Sequence, residues 1–443
     1  MLQRLKNWLK KNKNNFIIKY LFAAKNKINE TKEKKENRKA LKRLRKLKTK
    51  PPIIDRKIRV LFIVIDSNTW NKLKPLYFEM LGNNKFDVKM ICCPEPFKED
   101  SSLTYTYFKD NGYECIDARI GKGPWSAIDN KGKWFDIKNL NPDYIFYSEP
   151  YNGYLPKKYR TKYTSRYSKV CNVTYAMITT EEFLKIRPND FYRDAYCCYA
   201  NNEDEMKYNI KQFKAQHDEG IQHTKYLGFV AFADTFKEKE SKSDSWDFSK
   251  SDIRAIWTPR WSTDKLLGGS NFFNYKDVLI NYAKQNKDID ILFRPHPMAL
   301  DNFVRTGEMT KEEVEQFRET CEKTPNLSLD KSKSYTATFW NSSFLITDIS
   351  SIIVEYFVTG KPIIFCESTM MRQKSLPFFE KLISSCYVVK NKDELATKID
   401  QLKKGQDHKK KDRERLSVEL FGGDVSSAPN KIVKDIIKDA TKQ

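Results

Sequence analysis

Two short polar clusters, each closing an apolar run, hold the residue types that could do chemistry in this chain. Residues 289–293 lead into Arg294-Pro295-His296-Pro297, and residues 344–347 into Asp348-Ile349-Ser350-Ser351. Pro295 and Pro297 fix their own φ and keep Arg294 and His296 out of helical backbone, so the histidine sits on a stiff turn. An Arg and a His on such a turn suit an anionic ligand; a solvated surface turn is the plainer alternative. In the second cluster Asp348, Ser350 and Ser351 are good helix caps, and residues 352–358 read as the helix they would start. Free N–H groups and two hydroxyls at a helix start can receive a phosphate. Glu355, one turn further in, could meet the hydroxyls of a ribose, as acidic residues do in other nucleotide sites. An ordinary capped helix with a solvent-facing Glu would use the same residues.

Both apolar runs have the length and branching of buried parallel strands. Ligands of open α/β sheets lie beyond the carboxyl ends of strands, so the two clusters could line one crevice. The chain supplies material for two such sheets. Strand-like runs at 59–66, 86–93, 113–117, 144–147, 169–173 and 196–200, with 225–230 as a candidate last strand, alternate with helical patterns such as 70–82. After a polar stretch at 235–252, read as a linker or surface excursion, a second unit begins at 253–258. It continues through helices at 275–285 and 311–322, the two runs above, a strand at 362–366, and helices at 391–404 and 408–420. A last helix at 429–440 could cross back to the first unit. No GxGxxG follows the first strand, which argues against a plain dinucleotide site. Asp288-Ile289-Asp290 precedes a strand rather than following one, so no metal ligands are assigned.

The 443 residues suffice for two domains, and 13% aromatic residues argue against disorder throughout. The formal net charge is +23, but residues 1–50 hold 19 Lys or Arg against three Glu. The basic charge is thus mostly in a tail. Its Leu2, Leu5, Trp8, Leu9, Phe16, Ile17 and Leu21 fall at spacings that one helix face would share, a pattern that reads as a membrane-surface helix, with a helix packed on its own domain or on a partner as the plainer alternative. Residues 25–50 read as an exposed helix or a disordered arm, ended by Pro51-Pro52. No RNA-binding signature accompanies the charge, so nucleic acid is not an expected partner. Nine scattered Cys without a CxxC pair point to a reducing compartment with neither a disulfide framework nor a zinc site. No apolar run approaches the roughly 18 residues of a membrane span.

Arg294-Pro295-His296-Pro297 and Thr347-Asp348-Ile349-Ser350-Ser351, with an acid seven places after the Asp and then Gly360-Lys361-Pro362-Ile363-Ile364, resemble the CDP-glycerol glycerophosphotransferase family, whose enzymes polymerise teichoic acids and related capsule backbones. Trp257-Thr258-Pro259-Arg260-Trp261 and Ser270-Asn271-Phe272-Phe273 extend the likeness, which covers roughly residues 250–370 well and the N-terminal half loosely. The resemblance implies a GT-B fold, two Rossmann-like parallel-sheet domains around a cleft. It also implies roles for His296 at the phosphate, Ser350 and Ser351 at the pyrophosphate, and Glu355 at the ribose. Arg294 as a second phosphate partner, and Thr258, Arg260 and Asp348 in the donor cleft, rest on position and charge. One departure stands out. Better-known members carry a second essential His in a His-Gly loop of the N-terminal domain; here the corresponding stretch is Val173-Thr174-Tyr175-Ala176, and no His precedes His217. Glu149, at a strand end in Ser148-Glu149-Pro150-Tyr151, and Glu181 are the carboxylates that could take the acceptor proton instead.

The expectation is therefore an α/β protein: a basic membrane-associating arm at 1–50, an acceptor domain at 51–240, a CDP-donor domain at 241–425 and a C-terminal helix at 426–443. Its expected activity is transfer of glycerol-phosphate, or a related polyol-phosphate, from a CDP-activated donor to a hydroxyl of a glycan or lipid-linked acceptor, with release of CMP and no cofactor. A GT-B glycosyltransferase using a nucleotide-sugar is the alternative. The expected location is the cytoplasmic face of the membrane, on an anionic surface. The sequence leaves the oligomeric state open.

Overall fold

The computed structural model describes residues 16–264, 269–332, 335–368 and 374–442, with side chains from Glu30 onward. Two all-parallel sheets organise them. The first contains β1 (Ile58–Val64), β2 (Phe86–Cys92), β3 (Ile116–Asp117), β4 (Tyr144–Tyr147), β5 (Lys169–Val173), β6 (Cys197–Ala200) and β7 (His223–Tyr226). Their order is β3-β2-β1-β4-β5-β6-β7. The second contains β8 (Arg254–Thr258), β9 (Asp290–Phe293), β10 (Leu327–Leu329), β11 (Phe344–Thr347), β12 (Ile363–Cys366) and β13 (Tyr387–Val389), in the order β10-β9-β8-β11-β12-β13. In each sheet the order reverses beside the first strand, which opens a crevice at the carboxyl ends of β1 and β4, and of β8 and β11. Every residue of β4, β6, β9, β11 and β12 is buried. That is why these strands read as unbroken apolar runs: helices cover both faces of the sheet.

Several elements depart from the sequence reading. The helix expected at 70–82 is two pieces, Ser67–Trp70 and Lys74–Leu81, because Pro75 starts the second at its N1 or N2 position and cannot continue the first. The break leaves Asn71, Lys72 and Leu73 in a turn. The run at 113–117 forms a strand only over Ile116–Asp117. The last strand of the first sheet is His223–Tyr226, and Ala231–Lys237 is a helix. The supposed linker at 235–252 is packed: Trp246 is buried, and Asp290 Oδ2 accepts from Ser249 Oγ and from the amides of Lys250 and Ser251. β10, β13 and the helices Ala299–Thr306 and Pro377–Ser384 are short amphipathic elements that the periodicity did not reveal.

The N-terminal arm is a helix over Phe16–Lys48. It is not wholly exposed, since Ala40, Leu44 and Leu47 are buried on the first domain. Arg43 Nε and Nη2 donate to the buried Asp194 at 2.9 and 2.5 Å, and Lys48 Nζ donates to the Glu219 carbonyl. Leu2, Leu5, Trp8 and Leu9, and the side chains of Phe16, Ile17 and Leu21, lie outside the described residues. At the other end, the Ala428–Thr441 helix does cross back. Ile432, Val433 and Ile436 enter the first core. Asp439 accepts from Tyr144, Lys169 and Tyr196, and Asp435 from Tyr199 and Lys225. The two crossing segments touch at Gly228 (φ +106°), where an added Cβ would stand 3.1 Å from the Ala428 Cβ.

Candidate active site

The carboxyl edges of the two sheets face each other. Segment 179–182, which follows β5, meets segment 374–376: Glu181 N donates to the Lys374 carbonyl and Leu376 N to the Thr179 carbonyl. Arg260, just beyond β8, lies 5.1 Å from the ring of Phe183 in the first domain. A further link is ionic. Lys72, in the turn created by Pro75, reaches Glu355 Oε1 and Oε2 at 2.6 and 2.5 Å and also donates to the Tyr335 hydroxyl. Tyr335 in turn donates to Glu355 Oε2 at 2.6 Å. Glu355 is therefore not solvent-facing; it is buried. Burial alone would lower the pKa of Lys72, but Glu355 and Tyr335 outweigh it and raise it, so the lysine stays charged.

The second domain places the remaining sequence-derived residues around β8, β9 and β11. Asp348 is 1% exposed. Its Oδ1 accepts from Arg260 N at 2.6 Å and its Oδ2 from Asn271 N at 2.8 Å, so it fastens the loop after β8 to the start of the Phe272–Gln285 helix. Burial pushes its pKa up to about 7 against the pull of these amides and Arg260. Thr258 is buried, and its carbonyl accepts from Thr347 Oγ1. Arg294 is committed to the buried Asp330 and to Ser332, and stacks over Tyr335 at 4.9 Å.

His296 lies on the turn its prolines predict. Its Nδ1 accepts from Met298 N at 3.2 Å, which leaves the proton of the neutral ring on Nε2. Its ring stands 6.2 Å from Trp261. Desolvation first, then the charge of Arg260, lower its pKa to about 4. Water reaches this exposed ring, which moderates desolvation; the repulsion from Arg260 remains, and the direction is toward neutral imidazole. Ser350 and Ser351 are half-buried at the start of the Ile352–Phe357 helix. Neither is a strong cap: Ser350 Oγ accepts from Ile352 N at 3.5 Å, and Ser351 makes no side-chain cap bond. The Ser350 and Ser351 hydroxyls are thus not consumed by capping. Among the described residues no group of three or more His, Cys, Asp or Glu side chains is placed to hold a metal ion.

Across the cleft, Glu149 follows β4 and is 6% exposed. Thr69 Oγ1 donates to its Oε1 at 3.2 Å. Burial, then the neighbouring Asp66, raise its pKa to about 7. Thr69 and Lys72 lie on one short segment, so that segment touches Glu149 on one side and Glu355 on the other. Glu181 instead pairs with Lys185 and Lys374 on the surface. Lys72, Tyr335, Asp330 and Phe183 were not read from the sequence. None of the four carries a local signal: the strand before Asp330 is not legible in the periodicity, and Lys72, Phe183 and Tyr335 lie in short connecting segments or in or beside short helices.

The family model for CDP-glycerol:poly(glycerophosphate) glycerophosphotransferase matches residues 206–438, over half of the chain. The chain belongs to this family. The glycerophosphotransferase match covers the whole second domain, His296 and Ser350 included. The comparison with curated proteins returns no match. Among solved structures, UDP-GlcNAc 2-epimerase from Neisseria meningitidis, bound to UDP-GlcNAc, is 12% identical, with a TM-score of 0.59 over 86% of this chain and 100% of that one. A putative UDP-N-acetylglucosamine 2-epimerase from Listeria monocytogenes (13%, TM-score 0.57, 86% and 96%) and the enzyme from Methanocaldococcus jannaschii (12%, 0.55, 86% and 99%) are similar. At such identities the likeness is one of fold, and the fold is GT-B: two Rossmann-like parallel-sheet domains.

Proposed function

We propose that this glycerophosphotransferase-family enzyme moves glycerol-phosphate, or a related polyol-phosphate, from a CDP-activated donor to an acceptor hydroxyl. The observation that carries the reading is the pairing of His296 and the Ser350-Ser351 helix start at one sheet edge, inside the span the family model matches. The acceptor oxygen attacks the phosphorus that bears the polyol. The bond from that phosphorus to the CMP oxygen breaks, and the acceptor proton goes to Glu149. Phosphoryl transfer is mostly positioning and charge stabilisation. Neutral His296 donates from Nε2 to a phosphate oxygen. Ser350, Ser351 and the adjacent amides receive the diphosphate. Arg260 supplies positive charge at the cleft floor, while Asp348 and Arg294 hold the loops that carry it and His296. Glu355 receives the ribose after exchanging Lys72 for the nucleotide hydroxyls.

The acceptor is a hydroxyl of a cell-surface polymer or its lipid-linked primer. No helix among the described residues is long and apolar enough to cross a membrane, and the basic N-terminal arm is the element we assign to an anionic membrane surface on the cytoplasmic side. The test is turnover: CMP release from CDP-glycerol against a panel of nucleotide-sugars, with wild type and His296→Ala. The reading expects CDP-glycerol to be preferred and the variant to be inactive. Preference for a nucleotide-sugar would instead establish the glycosyltransferase alternative.

A further inference from the structure

Gly360-Lys361-Pro362 lies within the span the family model matches, yet the proposed donor chemistry makes no use of it. It stands at the amino end of β12, away from the crevice. Gly360 (φ +74°) turns the chain out of the Ile352–Phe357 helix, which carries Glu355. The turn sends Lys361 to the end of a second helix, Thr336–Trp340, whose N-cap is Tyr335. There Lys361 Nζ donates to the carbonyls of Phe339 at 3.2 Å, of Trp340, and of Ser342 at 2.5 Å. The last carbonyls of a helix lack intrahelical donors, and a cation is favoured beside them. Burial lowers the Lys361 pKa to about 8, while carbonyls, which can only accept, favour the protonated amine.

Two more contacts join the same ends. The Ser342 and Tyr356 hydroxyls are 2.8 Å apart, and the rings of Phe339 and Tyr356 meet edge to face at 5.2 Å. At the site the two helices meet again, where the Tyr335 hydroxyl donates to Glu355 Oε2 at 2.6 Å. The helices have five and six residues. Neither is long enough to hold its direction by its own hydrogen bonds. The Tyr335 helix has a separate support on its other flank. Trp340 Nε1 donates to the Thr235 carbonyl at 2.5 Å and Trp246 Nε1 to the Thr338 carbonyl at 3.2 Å. Those bonds do not involve Lys361, so its loss lets the helix shift without unfolding it.

We propose that Lys361 is a positioning residue of the donor site. It fixes the Tyr335 helix against the Glu355 helix, and so sets the hydroxyl that orients the Glu355 carboxylate toward the ribose. The inference rests on the proposed donor mode, in which Glu355 receives the ribose.

The test is calorimetric titration of the full chain with CDP and with its dideoxy analogue, which lacks both ribose hydroxyls. Wild type should prefer CDP. Lys361→Met keeps the apolar stem and removes all three donors. It should weaken CDP about tenfold, the scale of one hydrogen bond to a charged group, and leave the analogue within about twofold of wild type. Lys361→Gln should lose preference in the same direction, and it carries the test if the methionine variant does not fold. In a Tyr335→Phe background Lys361→Met should cost CDP no more than about twofold further, because the hydroxyl it positions is already gone. Equal weakening of both nucleotides, an unchanged preference for CDP in either folded variant, or full additivity with Tyr335→Phe would overturn the proposal. If wild type binds the two nucleotides equally, the ribose assignment of Glu355 falls and takes the Lys361 role with it. If wild type prefers CDP and the variants do so equally, only the Lys361 role falls.

Discussion

Lys72 gives the sharpest test of how the two domains work together. Replacing it by Met keeps the side-chain length and leaves Glu355, 4% exposed, without its cation. Removing one partner of a buried pair costs about 3–5 kcal/mol, because an uncompensated charge remains. Tyr335 still donates to Glu355, so the lower end, about 3 kcal/mol, is expected here. For a unit of this size about 1 kcal/mol shifts Tm by roughly 2–4 °C, which puts the loss near 6–12 °C. The double variant Lys72→Met with Glu355→Gln removes the charge as well and should recover most of it, giving a coupling energy of about 2 kcal/mol or more. Donor binding should move the other way. Lys72 occupies the Glu355 carboxylate, which the proposed donor mode assigns to the ribose. Lys72→Met should therefore bind CDP more tightly, by up to about tenfold, or roughly 1.4 kcal/mol, while melting lower. Differential scanning fluorimetry and calorimetric CDP titration read the two effects. If stability and affinity fall together, Lys72 is a donor contact rather than a competitor for Glu355. If the double variant is simply additive, the pair does not hold the domains.

Other consequences can be checked alongside. His296→Ala should lower kcat by about 10²–10³, the range for losing one aimed donor at developing charge, with an unchanged melt; near wild-type turnover would refute its role. Ser350→Ala with Ser351→Ala should weaken CDP binding by about 1–3 kcal/mol, at roughly 0.5–1.5 per hydroxyl, and unchanged affinity would place the donor elsewhere. Glu149 has its pKa raised to about 7, so kcat/KM should climb through neutral pH as it ionises, and Glu149→Gln should remove that limb. Because the folded pKa lies above the unfolded one, stability from Glu149 is full below about pH 4.5 and is lost as pH rises to about 7; Glu149→Gln should be the more stable protein at pH 8, by up to about 3 kcal/mol at 1.4 per unit. The arm should bind anionic vesicles in a salt-sensitive way. Flotation of the full chain and of a chain beginning at Glu30, which keeps the buried Ala40, Leu44 and Leu47, with anionic vesicles checks this; equal flotation of both would dismiss a membrane role for the arm.

What the sequence made legible follows from where the information lies. β9 and β11 are recognisable because Ile291–Phe293 and Phe344–Thr347 are buried apolar or β-forming residues closed by polar ones, and the turn at His296 because proline acts on its own neighbours. Local signals of this kind also located the Ala428–Thr441 helix. Pro75 was local too, yet its consequence was missed: the broken helix matters only because the freed turn lets Lys72 span to a residue 283 positions away. No window of sequence contains that contact. The same holds for Asp348, which by type and position is a helix cap or a ligand group. Only the fold shows that the amides of Arg260 and Asn271 occupy its two oxygens. Charged residues at strand ends are ambiguous in sequence for this reason. One carboxylate can bind donor, acceptor, lysine or backbone, and long-range packing decides which. Here packing leaves Glu149 with a hydroxyl partner and carboxylate neighbours, gives Glu355 a lysine, and buries Asp348 on amides. Of the three, only Glu149 is left as a carboxylate that can accept a proton near neutral pH without first giving up a cation or a pair of backbone amides.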